Sequence, residues 1–242
     1  MTYDIKDSYT NSGSDDSMVI NVMRDSGADK SRWNLSYETL KSMTDEIHNN
    51  MNITTGVRKI DTDINLPCGP DDSDLRTAAN NWLDDNYIYW SEVFLWIVGP
   101  CSQFIATSNA EGWTVRSNSF LGAHTRSDDT AHKQSTRHEA LHPYLLGDAN
   151  NSQYGRCQEV VDQVLNNEST PNGNSDDHCL GEVTFEAYGS TATSPMLGFY
   201  EQNTAEVGDC DYWEPPAFRN TELSHCTHQA LELSRQHANG NH

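Results

Sequence analysis

The sequence predicts a mixed α/β (α+β) fold: a mixed, twisted sheet carrying a candidate active-site helix, followed by a smaller, irregular C-terminal lobe. Three observations lead there. Strand and helix periodicities alternate over the first hundred or so residues in the order strand, helix, strand, helix, strand, the rhythm of βαβ units. The run from Val93 through Val98 is apolar over a strand's length and is stopped by Gly99 and Pro100, which suits a central strand buried on both faces. Beyond Gly147 the texture changes, with Asn and Ser accumulating and regular patterning thinning out. At 242 residues the chain can bury a sizeable core as one domain or as two lobes sharing a cleft. The expected organisation is a lead-in over residues 1–17 and one domain over 18–242, with lobes of about 18–147 and 148–242.

Taken in order, residues 1–17 are polar and rich in Ser, Asp and Asn, and read as disordered or loosely attached. Met18 to Met23 forms a first strand. Ser36 then caps a helix from Tyr37 to about Met51, with Leu40, Met43, Ile47 and Met51 at helical spacing. Val57 to Ile64 alternates as a second strand until Pro67-Cys68-Gly69-Pro70 breaks it. Ser73 caps a short helix through about Asp85, and the apolar run to Val98 follows. Gly112–Arg116 and Ser119–Ala123 read as further strand pieces, either an ordinary hairpin or an edge able to hold an extended peptide by main-chain hydrogen bonds. Next comes a helix from about Lys133 to Leu146, with Gly147 as its C-terminal cap. Pro143 lacks an N–H and clashes one turn back, so a kink or early end is expected there. The second lobe reads as a helix from Gln153 to about Leu165, an Asn/Ser/Asp loop to Asp177, short strands between Val183 and Tyr188, a turn at Ser194-Pro195-Met196, and a last helix opening at Asn220 or Thr221.

The helix over 133–146 carries the one chemically pointed motif, His138-Glu139-Ala140-Leu141-His142. Residues four apart share a helix face, so two imidazoles can grip one ion while Glu139 stands at the edge of that face; the pattern is that of a zinc hydrolase. Zn2+ is the cofactor this predicts. Glu139 is then the general base, with His138 and His142 as ligands. The bland reading is a pair of histidines lining a helix in a histidine-rich chain.

Composition narrows the partners. Thirty-six acidic residues against fifteen basic ones give a formal charge of -21, which argues against nucleic acid and anionic membrane surfaces as partners. Spread-out Asp and only five Lys fit a halophilic protein, since concentrated salt screens the self-repulsion. Cys68, Cys101, Cys157, Cys179, Cys210 and Cys226 are even in number and contain no C-x-x-C, favouring disulfides and an extracellular, secreted location. No secretory signal is visible in this chain, and the apolar run before Gly99 is too short to span a bilayer, so no membrane insertion is expected. A monomer acting on a peptide or protein substrate is the expected state.

Together, His138, Glu139 and His142, with Ser194-Pro195-Met196 as a downstream Met-containing turn, resemble the metzincin clan of zinc metalloproteases. The upstream order of strands and helix is also similar to that clan's N-terminal lobe. The resemblance implies a secreted, haloarchaeal-type endopeptidase in which Met196 lies under the zinc. Departures are specific: Leu145 stands where the clan usually has Gly, and Asp148 where it has a third His. The snapalysin-like subgroup uses Asp at that place, which makes Asp148 a candidate third ligand. His178, between the acidic loop and the strand leading to Met196, is the preferred third donor. Glu159, on the next predicted helix, would complete a gluzincin-type site instead. Tyr200 lies four residues past Met196, too far along to match the clan's tyrosine, and is not assigned a role. The rival from another class is a non-catalytic, acidic, disulfide-stapled extracellular binding domain with an accidental motif.

Overall fold

A computed structural model describes residues 3–67, 72–99, 106–108, 113, 116–123, 128–145, 183–186, 190–193, 218–219, 222–223 and 225–238. The chain forms two compact units, Met1–Pro143 and Tyr144–His242. The boundary falls at Pro143, slightly before the break expected near Gly147.

The first unit is a mixed α/β structure built on a six-stranded sheet. Its strands are β1 (Tyr3–Asn11), β2 (Ser14–Arg24), β3 (Ile53–Thr62), β4 (Val93–Val98), β5 (Ala106–Ser108) and β6 (Ser117–Gly122), in the spatial order β1-β3-β2-β4-β6-β5. The inner four, β3, β2, β4 and β6, are parallel, and each edge is closed by an antiparallel strand, β1 against β3 and β5 against β6. Parallel neighbours need crossovers. Two are helices, α1 (Lys30–Met51) between β2 and β3 and α2 (Asp72–Asp85) between β3 and β4. Central β4 is buried at all six positions, as its continuous apolar run predicts.

Two expectations need correction. Residues 1–17 are not a loose lead-in: Tyr3–Asn11 pairs along β3, and β2 has begun by Ser14. The strand is polar because it is an edge strand, mostly exposed and secured by its ladder rather than by burial. Tyr9 and Asn11 reinforce it by donating to the Asp45 carboxylate on α1, at 2.6 and 2.8 Å. Between β1 and β2 the chain passes so close to the start of β3 that a Cβ on Gly13 would lie 2.4 Å from the Ile53 carbonyl carbon, so only glycine fits. The first helix also starts earlier than Tyr37. Asp29 is its cap, accepting from the Ser31 N–H at 2.6 Å, and Ser36 lies buried inside the helix.

The sheet has two differently built faces. Leu75, Ala79, Trp82 and Leu83 of α2 pack with Met23, Ile60, Phe94, Trp96, Val98 and Phe120. By strand alternation, Val22, Val93, Leu95 and Ile97 point the other way. On that side Trp33 of α1 donates its indole N–H to the Val22 carbonyl at 2.9 Å. The Lys59 ammonium, on β3, lies over the Trp33 and Tyr37 rings at 4.7 and 5.2 Å.

In the second unit, β7 (Val183–Glu186) pairs antiparallel with β8 (Ser190–Thr193), and β9 (Phe218–Arg219) runs parallel to β8. A helix, α4 (His225–Ala238), buries Thr227, Ala230, Leu231 and Ser234, an apolar-to-small stripe at helical spacing. It begins a little later than Asn220 or Thr221. Among the described residues, no helix is long and apolar enough to cross a membrane.

Candidate metal centre

The motif lies on α3 (Asp129–Leu141), which follows β6 directly. Asp128 caps it, accepting the Ala131 N–H at 2.7 Å, and Asp129 adds a favourable negative charge in the first turn. The α-helix ends at Leu141. His142–Tyr144 continues as a single 3-10 turn, because Pro143 has no N–H for the next helical bond. His142 itself keeps right-handed helical angles and donates its backbone N–H to the His138 carbonyl, so its side chain still stacks one turn above His138.

That stacking brings the two rings together. Their centroids are 4.4 Å apart at 85°, and the Nε2 atoms are separated by 2.9 Å. A Glu139 carboxylate oxygen lies 4.0 Å from the His138 Nε2, and donor atoms of all three residues fall within 4.8 Å of one another. Two nitrogens bound to one zinc at about 2.0–2.1 Å each must lie within about 4 Å of one another; these do. The donor set, two imidazoles beside a carboxylate, fits a catalytic zinc in chemical type as well. The same 2.9 Å also suits a direct imidazole–imidazole hydrogen bond, which is all that a non-catalytic domain would require.

Asp148, Glu159, His178, Met196 and Tyr200 lie outside the described residues, as do the helix expected over 153–165 and the turn at 194–196. Five of the six cysteines also lie outside them, and Cys226 is described only as part of α4's backbone. The strand expected over Gly112–Arg116 falls mostly outside the described residues; the antiparallel partner of β6 is β5, at Ala106–Ser108.

Sequence reasoning missed how α3 is held. Alongside it, α1 presents polar groups at three levels. The Arg32 guanidinium meets Asp129 at 2.8 Å near the surface. Deeper, the Ser36 hydroxyl lies 2.9 Å from His132 Nε2 and 3.2 Å from the Thr136 hydroxyl. Beside the motif, buried Arg137 donates to Glu46 at 2.7 Å and to the Ser42 hydroxyl at 3.2 Å. These partners advance together along both helices, so α1 and α3 run side by side in the same direction. Burial, and then the nearby Arg32 charge, hold the His132 imidazole down at about 4, well below its ordinary 6.5, so it is neutral at pH 7. Among residues close in sequence, no pattern announces these contacts, because Ser42 and Glu46 are separated from Arg137 by most of the first unit.

Compared with known family models, curated proteins and solved structures, the chain matches none.

Proposed function

We propose that this chain is a zinc-dependent endopeptidase of metzincin-like architecture, secreted and adapted to high salt. The observation that carries the reading is the pair of Nε2 atoms 2.9 Å apart with the Glu139 carboxylate beside them, on a helix that ends as soon as the second histidine is in place. A mixed sheet that delivers this helix directly from its last parallel strand, with an antiparallel edge strand alongside, supports the same reading.

His138 and His142 hold the ion, with the third donor from His178 or, alternatively, Asp148. Bound zinc supplies Lewis acidity toward the scissile carbonyl and toward water. Glu139 takes a proton from the water whose oxygen attacks the carbonyl carbon, then delivers it to the leaving nitrogen as the C–N bond breaks, giving a new carboxylate and a new amine. Its 3% exposure keeps competing solvent away from that proton. Among the described residues β5 is the last strand of the sheet, and its outer edge offers main-chain donors and acceptors to an extended peptide. Disulfides among the cysteines and a monomeric state belong to this proposal, as does Met196 as a packed floor beneath the zinc.

One experiment tests it. Zinc per chain is measured by elemental analysis after dialysis, beside peptide hydrolysis, for the wild type and for Glu139→Gln, His178→Ala and Asp148→Ala. We expect about one zinc per chain in the wild type. Glu139→Gln should keep the zinc and lose hydrolysis by about 10²–10⁴-fold or more. Only the true third ligand's substitution should empty the site. A zinc-free wild type would return the chain to the acidic binding-domain reading, and loss of zinc from neither His178→Ala nor Asp148→Ala would turn attention to Glu159.

A further inference from the structure

We infer that Arg137 is a positioning residue for the metal centre, setting the rotation of α3 through its two bonds to α1; the inference rests on the zinc reading above. Arg137 and His138 are consecutive on a helix, about 100° apart around its axis. Fixing the direction of one therefore fixes the direction of the other. The Arg137 guanidinium is clamped from two sides, by the Glu46 carboxylate at 2.7 Å and by the Ser42 hydroxyl at 3.2 Å, and the residue is only 4% exposed. Glu46 and Ser42 are themselves one turn apart on α1, so the clamp spans a rigid element rather than a loop.

Chemistry explains why an arginine is suited to this place. Apolar contact between helices is non-directional, and a helix packed only through it can rotate or slide by a fraction of a residue at little cost. A planar, fixed-geometry guanidinium bonded to two groups resists both motions. The cost of burying the Arg137 charge is offset by Glu46, which stays partly exposed, so the pair contributes direction more than net stability. Here the bond lies immediately beside the first ligand, where a small rotation of α3 would swing both Nε2 atoms together and so re-aim the metal-binding face. Deeper along the same seam, Ser36 and Thr136 meet around the neutral His132, giving a second directional contact that limits tilt.

Cobalt(II) provides the test, added to the chelator-stripped full chain, because its visible absorption reports ligand geometry without any need for hydrolysis. Wild type, Arg137→Lys, Arg137→Gln and Ser42→Ala are compared, each confirmed as folded by circular dichroism, with zinc affinity measured by competition against the bound cobalt. We expect Arg137→Gln to bind about 10–100-fold more weakly, with altered band positions and intensities. Arg137→Lys should recover part of that loss, and Ser42→Ala should show a smaller effect of the same kind. Unchanged spectra and affinities in the folded variants, whatever their loss of stability, would overturn the positioning role and leave the zinc reading intact. If Arg137→Gln does not fold, Arg137→Lys and Ser42→Ala decide by the same criteria. A wild type that gives no cobalt spectrum overturns both readings at once.

Discussion

The two faces of the six-stranded sheet are held by different forces. Against α2 the contact is mainly aromatic and aliphatic: Trp82 meets Trp96 edge-on at 5.6 Å, and Phe94, Phe120 and Leu83 fill the space around them, with one polar link where Asn118 donates to Asn80 of α2 at 2.9 Å. Over the other face, α1 and α3 are joined to one another by directional polar contacts, from Arg32–Asp129 through Ser36–His132 to Arg137–Glu46. An apolar face contributes most of the free energy of folding but tolerates small adjustments. A hydrogen-bonded seam contributes less net stability and specifies one arrangement. The chain thus divides the work, with the α2 face stabilising the unit and the α1–α3 seam setting the direction of the His138–His142 pair.

The largest separation of the two roles should come from truncating the α2 face. Trp96 is fully buried, stacks edge-on against Trp82 and donates to the Asn118 side chain at 2.9 Å. Trp96→Ala should cost about 3–5 kcal/mol in urea unfolding, and Trp96→Phe distinctly less. Zinc bound per folded chain should be unchanged in both. Parallel loss of zinc affinity and stability would show that the two faces are not independent.

The next effect belongs to the polar seam and is read through pH. His132 titrates near 4 when folded and near 6.5 when unfolded. Between those values the unfolded chain binds a proton that the folded chain does not, so this residue's contribution to stability is complete above pH 6.5 and falls as the pH drops toward 4. The full loss is about 3 kcal/mol, and its slope approaches about 1.4 kcal/mol per pH unit within the window. Urea midpoints of the wild type and His132→Gln, taken from pH 7 to pH 4, should differ in slope by that amount. Parallel curves would mean that the charged imidazole is accommodated and that the seam is softer than its geometry suggests.

The same contrast explains which parts of the fold were legible in the sequence. Apolar runs and stripes are local, so β4, the core positions of α1 and the span of α2 could be read from the sequence; Pro143 signalled an early end for α3, which runs Asp129–Leu141 rather than about Lys133–Leu146. The motif was equally local: its two histidines stack because four residues make a turn. The seam could not be read. Ser36 looked like a helix cap because Ser commonly is one, and only the fold reveals that its hydroxyl is used by His132. Arg137 carries no local signal of its own, and its use becomes visible only where the fold brings Glu46 to it from α1. Strand β1 was missed for a related reason, since Asp4, Lys6, Ser8 and Thr10 carry a solvated edge that composition alone cannot tell from a disordered tail.

The smallest expected effect has the opposite sign. At the end of α2 the Ile88 N–H bonds back to the Leu83 carbonyl at 2.9 Å and the Tyr87 N–H to the Asp84 carbonyl at 3.0 Å, the pair of bonds that closes a Schellman motif. The residue at its centre must turn left-handed, and Tyr87 does so at φ 60° with a ring 78% exposed. Glycine takes that conformation without strain, whereas a bulky side chain is held there at a cost. Tyr87→Gly should therefore raise stability by up to about 1 kcal/mol, because the strain relieved exceeds the extra entropy of the unfolded glycine. Cobalt absorption should not change, since α2 does not aim the ligands. A shifted spectrum would mean that tension at the end of α2 is transmitted through the sheet to α3, and the two faces would then have to be treated as one mechanical unit.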